Sequence, residues 1–130
     1  MRPEERDAAY LWDMLSAARE VRTMLQGVSL AQFQTALIVM RATERCIEII
    51  GEAARRVSKT TQQLQTEIPW SDLIGQRNIL AHEYGQIDHE LLYKTAIEDV
   101  SQLIALLGSR PCEPRIGLSE PLFGRLGAPR

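Results

Sequence analysis

The sequence predicts an all-α fold, an up-down antiparallel bundle of four to five helices followed by an irregular C-terminal tail. Three observations support this prediction. Apolar residues recur at spacings of three and four along four segments, which is the period of a helix face. The connections between these segments are short, and short connections favour antiparallel neighbours. No segment alternates apolar and polar residues in the way that is typical of a half-buried strand.

The first helix is predicted from about Glu4 to Gln26, and Gly27 stands where a glycine commonly ends a helix. Its apolar face consists of Leu11, Met14, Leu15, Ala18, Val21 and Leu25.

The second helix is predicted as one long segment from about Leu30 to Ser58. Its apolar residues form two adjoining rows, so it should lie at the centre of a bundle or in an oligomer seam. Gly51 lies inside it, although glycine costs a helix roughly 1 kcal/mol. We therefore expect another helix to approach closely at Gly51.

Thr60 to Ile68 is predicted to be a connector, and Pro69 suits the first position of a third helix that runs to about His82. After an exit at Gly85, Asp88 is predicted to cap a fourth helix. The buried stripe of that helix comprises Leu92, Thr95 or Ala96, Val100, Leu103 and Leu107.

The chain divides into a helical domain, residues 1–107, and a tail, residues 108–130, that is rich in proline, glycine and arginine. The tail's composition is typical of a solvated segment. A second interpretation is an extended arm that binds RNA or a partner.

The bulk composition favours a soluble protein, and the cytoplasm is the default expectation. The net charge is −2, so any nucleic-acid contact would need a local basic patch. No apolar run approaches the roughly 20 residues of a membrane span. The two cysteines do not suggest a disulfide framework, and the scattered histidines and cysteines predict no metal site.

The segment from Arg77 to Tyr84 is the most unusual part of the sequence, because Arg77 projects from the middle of a helix's apolar face. A buried charge is costly unless it is paired. Arg77 is therefore either an ion-pair partner, for example of Glu48 or Glu52, or a functional group.

Arg77 and His82 together would suit metal-free cleavage of RNA, in which a ribose 2′-hydroxyl attacks the adjacent phosphate. Imidazole can move protons near neutral pH, and guanidinium matches the oxygens of a phosphate. Asn78 shares a helix edge with His82 and could orient the ring or contact the phosphate. Taken singly, His82 could instead serve a helix end, and Tyr84 could be a packing residue.

Helix geometry restricts how Arg77 and His82 can meet. Five residues correspond to about 140° around an ideal helix. Either the helix ends before His82, or a second subunit supplies the partner group. A two-fold dimer with this helix at its seam would gather both residue types in one cleft.

The motif Arg77-x4-His82-x-Tyr84 resembles the signature of the HepT-like toxins, a branch of the HEPN superfamily. Other segments that resemble this family are Arg6 to Leu11, Glu48 to Ala54, Ile68-Pro69-Trp70 and Ile87-Asp88. The resemblance covers about residues 4–107.

This resemblance implies a HEPN-like bundle that forms a homodimer and acts as a metal-independent endoribonuclease without a cofactor. It implies catalytic roles for Arg77 and His82, with Asn78 assisting. It further implies the toxin of a type VII-like toxin–antitoxin pair, whose partner, an MntA-like minimal nucleotidyltransferase, adds AMP to Tyr84. The alternative is a non-catalytic HEPN subunit that binds a nucleotide or scaffolds a nucleotidyltransferase.

Overall fold

Helices make up the regular structure in the part of the chain that the structure describes. The computed structural model describes residues 2–82 and 88–108, with residue 3 and residues 79–82 described by their backbone alone. The helices are α1 (Pro3–Leu25), α2 (Leu30–Thr35), α3 (Leu37–Arg56), α4 (Lys59–Leu64), α5 (Trp70–His82), α6 (His89–Lys94) and α7 (Val100–Gly108), with a π-helical turn at Thr95–Asp99. These residues contain no strand, and the predicted all-α fold is confirmed.

Helix α3 is the centre of the bundle, as its two apolar rows predicted. It packs against α1 on one side and α5 on the other, while α7 packs against α1. The start of α1 lies beside the end of α3, because Asp7 accepts a hydrogen bond from the backbone N–H of Ser58 at 2.9 Å. The two helices are therefore antiparallel. The largest fully buried side chains are those of Phe33, Met14, Ile50, Ile68, Leu107, Val21 and Thr43.

The predicted single helix from Leu30 to Ser58 is wrong at Ala36, where the backbone (φ −99°, ψ 79°) separates α2 from α3. Helix α2 has its own start, a capping box at Ser29. It also has its own packing, because the fully buried ring of Phe33 lies 5.3 Å from the ring of Tyr93. The Tyr93 hydroxyl donates a 2.6 Å hydrogen bond to the carbonyl of Val28. Through these contacts α2 packs against α6 and does not continue the axis of α3. The periodic apolar pattern of the sequence gives no sign of this break.

The predicted connector contains a short helix, α4, which Ser58 caps by accepting a hydrogen bond from Thr61 N–H. The predicted cap at Asp88 is confirmed, since its carboxylate accepts hydrogen bonds from the N–H groups of Glu90 and Leu91. The π-helical turn lies in the middle of the predicted fourth helix. It explains why Thr95 and Ala96, predicted as alternatives, are both buried.

Helix α7 includes Gly108, the first residue of the predicted tail, and the prediction for residues 109–130 lies outside the described residues. None of the described helices combines the length and the apolar character that crossing a bilayer requires.

Candidate functional site

Helices α3 and α5 touch through Gly51, so the expected close approach is confirmed. A Cβ atom at this position would overlap Cβ of Arg77 and would lie 2.6 Å from the carbonyl oxygen of Leu73. Both neighbours belong to the face of α5 that turns towards α3. The absence of a side chain at Gly51 therefore lets the backbone of α5 lie directly on α3 and brings Arg77 into the seam.

Arg77 is held in this seam by two polar neighbours. Its Nη2 atom lies 3.2 Å from Oε2 of Glu52, and its Nη1 atom donates a 3.2 Å hydrogen bond to Oδ1 of Asn78. Of the two carboxylates proposed as partners from the sequence, Glu52 is the one that pairs with Arg77. Glu48 forms an ion pair with Arg45 instead.

Arg77 retains hydrogen-bonding capacity in this position. Its side chain is 27% exposed, and its Nε atom is buried with no hydrogen-bond acceptor among the described residues. Oε2 of Glu52, its neighbour in the ion pair, is likewise buried without a hydrogen-bond partner among the described residues. An anion would contact the exposed part of the Arg77 side chain, not the buried Nε atom.

Glu52 is shared by three arginines. Oε1 of Glu52 lies 2.8 Å from Nη2 of Arg55 and 2.9 Å from Nε of Arg56, while Oε2 faces Arg77. Hydrogen bonds from Arg55 and Arg56, and then the positive charge of Arg77, lower the pKa of Glu52 to about 2. The carboxylate is therefore ionised at any physiological pH, yet it balances only one of three positive charges.

The ion pair and a functional role of Arg77 are therefore compatible. Glu52 fixes the direction of the guanidinium, and the surplus of positive charge around it still attracts an anion. The sequence offered a signal for this group, because Glu52, Arg55 and Arg56 have the spacing of helical ion pairs. The prediction considered Glu52 only as a partner of Arg77 and missed the other two.

The structure describes the other predicted site residues only in part. Asn78 is exposed, and its amide oxygen contacts the Arg77 side chain. Helix α5 runs as far as His82, so the helix does not end before that residue. The predicted arrangement in which the helix stops short of His82 is therefore wrong, and a partner group from a second subunit stays a prediction. Tyr84 lies outside the described residues.

Among the described residues, no three His, Cys, Asp or Glu side chains lie close enough together to hold a metal ion.

Comparison with known proteins identifies relatives over most of the chain. The model of a family described as "Ribonuclease HepT-like" matches residues 14–109. A protein of Methanocaldococcus jannaschii, provisionally named an RNase, is 35% identical over 95 residues, which are 73% of this chain and 87% of that protein. A Thermococcus cleftensis protein named "Probable ribonuclease HepT" is 31% identical over 72% of this chain and 86% of its own length. No solved structure gives a significant match.

Proposed function

Because the chain belongs to the ribonuclease HepT-like family, we propose that it is an endoribonuclease that cleaves RNA through Arg77 and His82 without a metal ion. The observation that carries the proposal is the state of Arg77. It is fixed in a helix seam by Glu52 and Asn78, keeps 27% of its side chain exposed, and belongs to the same helix as His82.

In the proposed reaction, the ribose 2′-oxygen attacks the adjacent phosphorus atom and the bond from phosphorus to the 5′-oxygen breaks. The products are a 2′,3′-cyclic phosphate and a free 5′-hydroxyl. The 2′-hydroxyl loses a proton and the departing 5′-oxygen gains one. His82 serves one of these two transfers and water serves the other, since an imidazole titrates near neutral pH. Arg77 donates hydrogen bonds to the non-bridging oxygens, where charge develops. Asn78 assists by holding the Arg77 side chain in position.

We propose that each active site is formed by two copies of the chain, with Arg77 of one copy facing His82 of the other. Helix α5 is continuous through both residues, and about 140° separates their directions on one helix, so they cannot easily reach the same phosphate from one copy. A two-fold axis that brings the α5 helices of the two copies together would create two equivalent sites in one cleft between the subunits.

We also propose that the protein is the toxin of a type VII-like toxin–antitoxin pair, neutralised by an MntA-like minimal nucleotidyltransferase. Addition of AMP to Tyr84, two residues beyond His82, would place a phosphate group beside the catalytic residues. That phosphate would occupy the site of the RNA backbone and repel the substrate.

The activity is tested by incubating the purified protein with single-stranded and structured RNAs in the presence of excess EDTA. We expect endonucleolytic fragments that end in a 2′,3′-cyclic phosphate, at a rate that EDTA does not change. Absence of cleavage by unmodified protein would contradict the ribonuclease and favour a nucleotide-binding or scaffolding subunit. Cleavage that stops in EDTA and returns with added magnesium would contradict the metal-free mechanism.

The modification of Tyr84 gives a second prediction. Incubation with a minimal nucleotidyltransferase of this type and ATP should increase the protein mass by one or more AMP units and abolish cleavage. The Tyr84→Phe variant should cleave RNA but stay unmodified and active under the same treatment. Tyr93→Phe is a suitable control, because this tyrosine is committed to the Val28 carbonyl and should not affect labelling. Labelling that persists in Tyr84→Phe would show that another residue is modified.

A further inference from the structure

A second basic site lies where the start of α1 meets the end of α3. It is a pocket of about 340 Å³, lined by Arg6, Asp7, Tyr10, Arg55, Arg56 and Ser58. The three arginine side chains are exposed at its rim. None of these residues has a role in the proposed cleavage step.

Asp7 is the one carboxylate in the pocket, and its oxygens are already occupied. They accept hydrogen bonds from Ser58 N–H at 2.9 Å, from the Ser58 hydroxyl at 2.6 Å and from the Thr61 hydroxyl at 2.5 Å. Burial by itself would raise the pKa of Asp7, but these hydrogen bonds outweigh burial and lower it. Asp7 thus joins α1 to the end of α3, and its hydrogen bonds come from Ser58 and Thr61 and not from the arginines.

The pocket adjoins the Arg77 site through Glu52. Arg55 and Arg56 bind one oxygen of this carboxylate, and Arg77 lies against the other. With Arg6, the pocket and the neighbouring Arg77 site together contain four guanidinium groups. Among the described residues, they contain only two carboxylates, those of Asp7 and Glu52. This local excess of positive charge stands out in a chain whose net charge is −2. It is the local basic patch that contact with nucleic acid requires.

We propose that this pocket binds a backbone phosphate of the RNA strand next to the phosphate that Arg77 holds, an inference that rests on the proposed ribonuclease function. Arginine side chains bind phosphate oxygens through paired N–H donors, and such contacts position a strand without reading its sequence. Because a shared carboxylate joins the two groups, one strand can reach both. The pocket would set the direction in which the RNA enters the cleft.

The chain offers a matched pair of double variants for a test. Arg6→Gln/Arg55→Gln removes one exposed arginine from α1 and one from α3 at the pocket. Arg22→Gln/Arg41→Gln removes the same charges from the same helices, and Arg41 is paired with Glu44 three residues away just as Arg55 is paired with Glu52. Arg22 lies roughly 24 Å from Arg6 along α1, given a rise of about 1.5 Å per residue.

Binding is measured with a fluorescent single-stranded RNA whose riboses are 2′-O-methylated, so that it binds without being cleaved. Anisotropy titrations are repeated over a series of potassium chloride concentrations. For single strands, the slope of log K against log salt is about −0.7 per neutralised phosphate. We expect the pocket variant to bind about tenfold more weakly than wild type, with a slope shallower by about 0.7 to 1.4. The control variant should bind within about twofold of wild type.

The proposed phosphate site would be contradicted if the two double variants bound RNA with equal affinity and equal salt dependence. It would also be contradicted if the wild-type protein did not bind the methylated RNA. The single variant Arg6→Gln leaves the arginines around Glu52 intact, so it is expected to fold normally. Its RNA affinity should fall in the same direction as that of the double variant, but by less. Cleavage of unmethylated RNA by wild type is measured in parallel. If the wild-type protein binds RNA but does not cleave it, the ribonuclease activity is contradicted and the phosphate site is not. If it cleaves RNA and the two double variants bind RNA equally well, only the phosphate site is contradicted.

Discussion

Replacement of Arg77 by alanine is expected to reduce RNA cleavage by about 10²–10³-fold, the usual loss when a donor to a developing negative charge is removed. The protein should remain folded. Glu52 keeps its hydrogen bonds from Arg55 and Arg56, so no isolated charge remains behind. Single-turnover cleavage and thermal unfolding would be measured on the same preparation.

His82→Ala should have an effect of similar size, about 10²–10⁴-fold, because it removes the proton-transfer group. The control is Arg45→Ala, which removes an exposed arginine of α3 that pairs with Glu48. This control should cleave RNA at nearly the wild-type rate. Cleavage that survives either Arg77→Ala or His82→Ala would remove that residue from the mechanism.

Gly51→Ala is expected to lower the free energy of unfolding by about 2–3 kcal/mol, as overpacking does when the surroundings have to shift. The new methyl group would overlap Cβ of Arg77 and press against the carbonyl oxygen of Leu73. The backbone of α5 would have to move away from α3, because neither contact is the free end of a flexible side chain. Arg77 would leave its position beside Glu52, so the variant should also lose most of its cleavage activity at temperatures where it is folded.

Gly75→Ala is the matched control, since a Cβ atom at Gly75 would have no neighbour within 4 Å. Replacing this glycine in the middle of α5 should stabilise the protein by about 0.5–1 kcal/mol. Urea unfolding of both variants gives the comparison. A Gly51→Ala protein as stable and as active as wild type would show that the two helices do not need this close contact.

The sequence was sufficient to predict the all-α fold, because helical periodicity reflects burial on one face. It also predicted the contact at Gly51, because glycine inside a helix lowers stability and a close helix contact offsets that cost. It did not predict the break at Ala36. That break follows from the packing of Phe33 against Tyr93, two residues that are sixty positions apart in the chain. Contacts of this kind depend on tertiary structure and leave no local pattern.

At the site, the unusual position of Arg77 was visible in the sequence, and Glu52 was one of two partners that could be named. The sequence could not choose between Glu48 and Glu52, because both lie on the same helix one turn apart. The basic pocket was also not predicted. It depends on the antiparallel contact that brings Arg6 of α1 beside Arg55 and Arg56 of α3.

The proposal that two copies of the chain form each active site is tested most directly by mixing two inactive variants. In a dimer of one Arg77→Ala subunit and one His82→Ala subunit, one site keeps both residues and the other site has neither. After subunit exchange at equal concentrations, we expect about a quarter of the wild-type activity, because half the dimers are mixed and each has one intact site. Formation of mixed dimers is verified with differently tagged subunits. Mixed dimers that form and yet cleave no faster than the separate variants would contradict a site shared between subunits.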